Sequence, residues 1–175
     1  LVGSEMCIRD RHHFEDLCND SVVTSFCKNP TINATLSYYA SKADDLGIQV
    51  SIHFTAACDK LDSDTEFSIM MANAFENAIN GCLKVPEETG REIKVACVEE
   101  YQLLFAITNT CQEAAVVFDE NHIPMSGKPG HGIGTRSILA YVHKNNAVID
   151  YQMENGLFKL RILFPASSGT AVPSS

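Results

Sequence analysis

The chain has 175 residues, enough for one well-packed domain and little more. A net charge of -9 at pH 7 argues against non-specific binding to nucleic acid or anionic lipid, since both need a basic surface. Hydrophobic residues at 45% and charged residues at 20% are ordinary for a soluble globular protein, and no run approaches the roughly 18 apolar residues of a membrane span.

Residues 1–11, LVGSEMCIRDR, differ in style from the rest of the chain and resemble an adapter-derived scar, so they are read as non-native. HHFEDLCNDSVVTSF (12–26) has a loose helical period through Phe14, Leu17, Cys18, Val22 and Phe26. In KNPTINATLSYYASKADDLG, Asn29 suits an N-cap, Pro30 the first helical position and Gly47 the C-terminal stop. Ile32, Leu36, Tyr39, Ala43 and Leu46 share one face, which predicts an amphipathic helix.

IQVSIHF (48–54) alternates strictly and predicts a half-buried strand, with His53 on the exposed side. After a polar linker comes a long apolar helix, FSIMMANAFENAINGCLK, capped near Asp62 to Asp64. Pro86 and Gly90 mark the next loop, and REIKVACVEE and QLLFAIT read as two strands joined by a short acidic turn. Residues 110–132 carry no long period, although AAVVF suits a short strand or helical turn. A helix follows Gly134 to about Lys144, and AVIDYQM and LFKLRILF form a hairpin around Asn155-Gly156. The tail after Pro165 is polar and predicted to be disordered. This order predicts an α+β two-layer sandwich, a mixed sheet with helices on one face.

The seven cysteines are odd in number, form no C-x-x-C pair and sit largely in apolar runs. That pattern suits small buried hydrophobes in a reducing compartment, not disulfides or a zinc site.

One polar stripe interrupts the apolar helix. Asn73, Glu76, Asn77 and Asn80 follow one line at i, i+3, i+4 and i+7. A solvent face is the simple explanation, but such faces normally use Lys, Glu and Arg, and asparagine is a poor helix former. A buried helix with an amide-and-carboxylate stripe predicts a polar cavity, and amide oxygens are hard ligands suited to Mg²⁺ beside phosphates. Farther along, GKPGHGIGTRSIL (127–139) holds four glycines before a helix N-terminus, a setting that can cradle phosphate.

Together, ANAFENAIN and GHGIGTRSI resemble the N-box and the G2 box of the GHKL superfamily of ATP-binding domains. The resemblance is strongest to bacterial sensor histidine kinases of the peptide-quorum-sensing type and covers roughly residues 12–165. It implies the Bergerat (GHKL ATPase) fold, largely antiparallel, with ATP and Mg²⁺ bound. Residues 12–27 would be a remnant of the dimerisation helix, 28–165 the catalytic domain and 166–175 the tail.

By the same resemblance Asn77 is the Mg²⁺ ligand, and Asn73 faces the phosphates or metal. Glu76 polarises a hydroxyl or an imidazole, and Asn80 extends the stripe. Gly130, His131, Gly132, Ile133, Gly134 and Thr135 close on the triphosphate, with Lys128 and Arg136 supplying charge. The D-x-G-x-G box, whose aspartate recognises the adenine amino group, is absent. Asn109 in AITNTC takes its place, which predicts weak nucleotide affinity because an amide accepts that hydrogen bond without charge assistance.

The phospho-accepting histidine of the family would fall at about residue 8, inside the suspected scar, with His12 or His13 as the lesser alternative. The implied activity is transfer of the ATP γ-phosphoryl to a histidine on the dimerisation helix, with a homodimer and a cognate response regulator as partners. The implied location is the cytoplasmic side of a membrane-bound sensor. The alternative is a nucleotide-binding and dimerisation module of the same fold that does not phosphorylate itself. A chaperone-like or mismatch-repair ATPase is disfavoured, because those enzymes have glutamate at the position of Asn73.

Overall fold

The computed structural model describes residues 25–59, 61–125 and 132–166. Five strands form one mixed sheet: β1 (Gln49–Phe54), β2 (Glu92–Glu99), β3 (Leu103–Thr110), β7 (Leu157–Leu163) and β6 (Val148–Glu154), in that spatial order. β1 pairs parallel to β2, and every other neighbour in this sheet is antiparallel. Helices α1 (Pro30–Asp44), α2 (Asp64–Cys82) and α3 (Ile133–Lys144) pack together, and α2 lies on the central strands. The predicted α+β sandwich is the fold observed.

Local signals explain most element ends. Asn29 Oδ1 accepts from Thr31 N and Ile32 N, so α1 starts at Pro30 as expected. Asn29 Nδ2 donates to Asp64 Oδ2 at 2.6 Å, tying the start of α1 to that of α2. Ser63 caps α2 by accepting from Glu66 N, within the predicted stretch Asp62 to Asp64. Asn155 and Gly156 both have positive φ, 52° and 74°, which is the two-residue turn that lets β6 and β7 twist together.

The core lies between the helices and one face of the sheet. Ile32, Leu36, Phe67, Phe75, Ile93, Phe105 and Ile162 are fully buried there. Phe67 meets Phe105 edge-on at 5.9 Å between ring centres, and Tyr39 stacks on Phe75 at 5.2 Å. Cys58, Cys82, Cys97 and Cys111 are buried free thiols, as the cysteine pattern predicted.

Some expectations need correction. Leu46 lies beyond the end of α1, in the turn before β1, and is exposed. The segment after Asn109 is more structured than its lack of period suggested. A 3-10 turn at Glu113–Ala115 leads into a small hairpin, β4 (Val117–Phe118) with β5 (Pro124–Met125). Residues 25–27, assigned to the end of a dimerisation helix, are irregular, and the backbone N–H groups of Phe26 and Cys27 donate to Asn33 Oδ1. The suspected scar, the rest of the 12–27 segment and the tail from residue 167 lie outside the described residues. No helix among the described residues is long and apolar enough to cross a membrane.

Candidate functional site

Asn73, Asn77 and Gly81 recur every fourth residue along α2 and so follow one line, about 12 Å long at the helical rise. Its two ends meet different parts of the chain. At the Asn73 end lies the start of α3. A Cβ built on Gly134 would sit 3.2 Å from Asn73 Oδ1 and 3.5 Å from Asn77 Oδ1, so both amide oxygens converge on this glycine. Asn73 Nδ2 donates to Ile69 O at 2.9 Å and to Ser137 Oγ at 3.2 Å, which orients the amide and commits its hydrogens.

Gly132 opens α3 with φ 106°, a left-handed conformation that suits glycine, and its carbonyl accepts from Arg136 N at 3.0 Å. Among the described residues no side chain caps this helix start. The N–H groups of the first turn and the positive end of the helix dipole are therefore uncapped beside the amide line, an arrangement that favours an anion.

At the Gly81 end lies Asn109, the penultimate residue of β3. It is 3% exposed, and its Nδ2 donates to Thr110 O at 2.8 Å. Thr110 is held in turn, accepting from Glu92 N at 3.1 Å and lying 3.3 Å from Cys82 Sγ. Cys111 N donates to Gly156 O, and Gly156 N donates to Glu113 Oε1. These bonds anchor the segment beyond Asn109 on the β6–β7 turn.

Glu76 is drawn elsewhere. Its Oε1 accepts from Lys42 Nζ at 2.5 Å and from Tyr39 OH at 3.2 Å, so the carboxylate joins α2 to α1. Burial, reinforced by the Glu76 charge, pushes the Tyr39 hydroxyl pKa up to about 12. Lys42 is raised chiefly by its hydrogen bond to Glu76.

The other sequence candidates divide clearly. Asn77 and Asn80 are exposed and Asn73 half-buried, so the stripe is an open face bordered by α3, not the enclosed cavity expected. Gly134 and Thr135 stand in the first turn of α3, which begins at Ile133, and Ile133 itself is 74% exposed. Arg136 is exposed. Lys128, Gly130 and His131 lie outside the described residues. Sequence reasoning missed Ser137, which orients Asn73, and Gly81, which continues the stripe four residues past Asn77. The spacing of Gly81 was a usable signal.

Among the described residues, no group of three or more His, Cys, Asp or Glu is placed to hold a metal ion. The paired amide oxygens nevertheless fit Mg²⁺, which takes one or two hard protein oxygens when phosphates and water complete its shell. A separate cavity of about 410 Å³, lined by Asp62, Tyr101 and Phe164 among others, lies at the opposite end of the sheet, where β3 begins.

The fold is shared with solved histidine kinases. The catalytic domain of histidine kinase ThkA superposes with a TM-score of 0.61 at 15% identity, over 81% of this chain and 93% of that one. Acinetobacter baumannii histidine kinase AdeS gives 0.59 at 16% identity, over 90% of this chain and 79% of its own. The Erythrobacter litoralis EL346 blue-light activated histidine kinase gives 0.57 at 13% identity. That match covers 77% of this chain but 41% of the other, so the chain spans less than half of that protein. At such identities the likeness is one of fold. No curated protein matches the sequence. Residues 64–165, more than half of the chain, match the family model of the GHKL domain, and the chain therefore belongs to the GHKL family.

Proposed function

We propose that residues 28–165 form the ATP-binding catalytic domain of a two-component sensor histidine kinase of the peptide-quorum-sensing type. The domain presents the γ-phosphoryl of ATP to a histidine on a dimerisation helix within a homodimer, and a cognate response regulator receives the phosphate. The parent would be a membrane-bound sensor with this domain in the cytoplasm. The observation that carries the reading is the convergence of Asn73 Oδ1 and Asn77 Oδ1 on Gly134, at the uncapped start of α3.

In this reading the phosphates lie between the amide line and the first turn of α3, within reach of Thr135 and Arg136. Asn77 holds the Mg²⁺, with Asn73 beside it and Asn80 at the solvent edge. When bound, the metal neutralises charge on the phosphates, and catalysis is mainly positioning and electrostatics. Asn109, about 12 Å along the line, meets the adenine. Lys128, Gly130 and His131 would contact the triphosphate. The acceptor position near residue 8, and His12 and His13, are outside the described residues.

The test is calorimetric titration of the full chain with a non-hydrolysable ATP analogue, with and without Mg²⁺, repeated with Asn77→Ala. Binding should require Mg²⁺ and weaken at least about tenfold in the variant. Absence of binding, or an unaltered Asn77→Ala, overturns the reading. Labelled γ-phosphate that reaches neither the chain nor an added dimerisation-helix peptide would favour the non-phosphorylating module.

A further inference from the structure

Gly81 sits one residue from the end of α2, with an ordinary helical backbone that does not need glycine. Glycine is the poorest helix former after proline, so local propensity does not explain it. Space does. A Cβ at this position would lie 2.5 Å from Asn109 Nδ2 and 3.6 Å from its Cγ, and the first distance is closer than any real contact of this kind. The buried amide of Asn109 occupies the place of the missing side chain.

That placement has a chemical consequence. Nδ2 of Asn109 is committed to Thr110 O, and Thr110 is itself fixed by Glu92 N and Cys82. Nδ2 gives one hydrogen to Thr110 O and lies against α2 at Gly81, and among the described residues Oδ1 has no partner, so Oδ1 is the atom the amide can offer to a ligand, as an acceptor. An acceptor suits a base that carries an exocyclic amine on its six-membered ring, as adenine does. It rejects one with a carbonyl there, as in hypoxanthine, because two acceptors would face each other without a proton.

We propose that Gly81 is a positioning residue for base selectivity. By leaving room for Asn109 to lie against α2 with Nδ2 committed, it makes the site selective for 6-amino purine nucleotides. This rests on the reading of Asn109 as the base contact.

The experiment compares ATP and ITP binding in the presence of Mg²⁺ by the full chain, Gly81→Ala, Asn109→Ala and the double variant. Wild type should prefer ATP by about tenfold, the value of one hydrogen bond lost against an unpaired acceptor. Gly81→Ala should bring the ratio to within about twofold of unity, with a fall in melting temperature because the buried Asn109 amide must shift to admit the Cβ. A packing role alone would weaken both nucleotides equally and leave the ratio intact, and that result overturns the inference.

Where Gly81→Ala does not fold, the Asn109→Ala background removes the clash. There the added methyl should be tolerated and leave the ratio that of Asn109→Ala. A double variant that still does not fold, or whose ratio differs from that of Asn109→Ala, overturns the inference as well. Failure of wild type to bind ATP, or an Asn109→Ala variant with an unchanged ratio, instead overturns the reading of Asn109.

Discussion

Gly134→Ala separates a nucleotide site from ordinary helix packing. Gly134 is the second residue of α3 and has no positive φ, so alanine is compatible with its backbone. Replacing a helical glycine with alanine stabilises by up to about 1 kcal/mol. Against this, the new Cβ would lie 3.2 Å from Asn73 Oδ1, short by a few tenths of an ångström. Asn73 cannot yield easily, because its amide is held by Ile69 O and Ser137 Oγ. The two effects nearly offset, and the melting temperature should stay within about 4 °C of wild type.

Binding should behave differently. The methyl would fill the space on which both amide oxygens converge, the proposed place of phosphate and metal. The affinity for the Mg²⁺ complex of an ATP analogue should fall at least about tenfold, or 1.4 kcal/mol. Calorimetric titration and thermal denaturation of the same preparation read both quantities. A stable variant that binds within about twofold of wild type would refute the reasoning. So would a variant that loses stability and binding together, because the glycine would then serve packing alone.

Two further expectations concern the scaffold. Asn29→Ala removes the cap of α1 and the bond to Asp64, and should cost about 1–2 kcal/mol, a fall of about 3–8 °C in calorimetric melting temperature. A fall below about 1 °C would show that the cap contributes nothing. Tyr39 and Tyr151 both have folded-state pKa values pushed up to about 12 from 10.0, Tyr151 by burial alone. The neutral form is favoured in the folded state, so this contribution is fully present below pH 10 and is lost as pH rises from 10 through about 12. Urea unfolding at pH 8 and pH 11 should show the decline. Tyr151→Phe should reduce it while remaining neutral or slightly stabilising at pH 8, since the Tyr151 hydroxyl has no partner among the described residues. An unchanged decline would contradict the assignment to Tyr151.

The fold was legible wherever a strong local signal coincided with a packing demand. Asn29-Pro30 places the start of α1, Asn155-Gly156 places the last hairpin, and the alternation of IQVSIHF places a strand whose Val50, Ile52 and Phe54 pack against the core. The small β4–β5 hairpin was legible in part: AAVVF suited a short strand, where β4 lies, but a two-residue strand carries no period and nothing marked β5. It is held by Asp119 Oδ1, which accepts from Asn121 N and Ile123 N, and by His122 stacked on Phe118 at 4.4 Å. Gly81 was overlooked although its spacing from Asn77 fits the stripe. Near a helix end a glycine looks like a stop signal, and its contact with Asn109 joins residues far apart in the chain.

Glu76 shows why a stripe alone under-determines chemistry. Helical spacing puts it three residues from Asn73 and next to Asn77, so a sequence reading groups it with the amides. The neighbouring helix decides otherwise, because Lys42 and Tyr39 on α1 bond the same carboxylate oxygen. Both contacts fall on Oε1 and hold the carboxylate toward α1. The acid of the stripe therefore also joins the helix pair, whereas the amides beside it can accept or donate hydrogen bonds but cannot remove a proton. A site so equipped suits a reaction whose nucleophile is already competent, as an imidazole nitrogen is, better than one that must first deprotonate water.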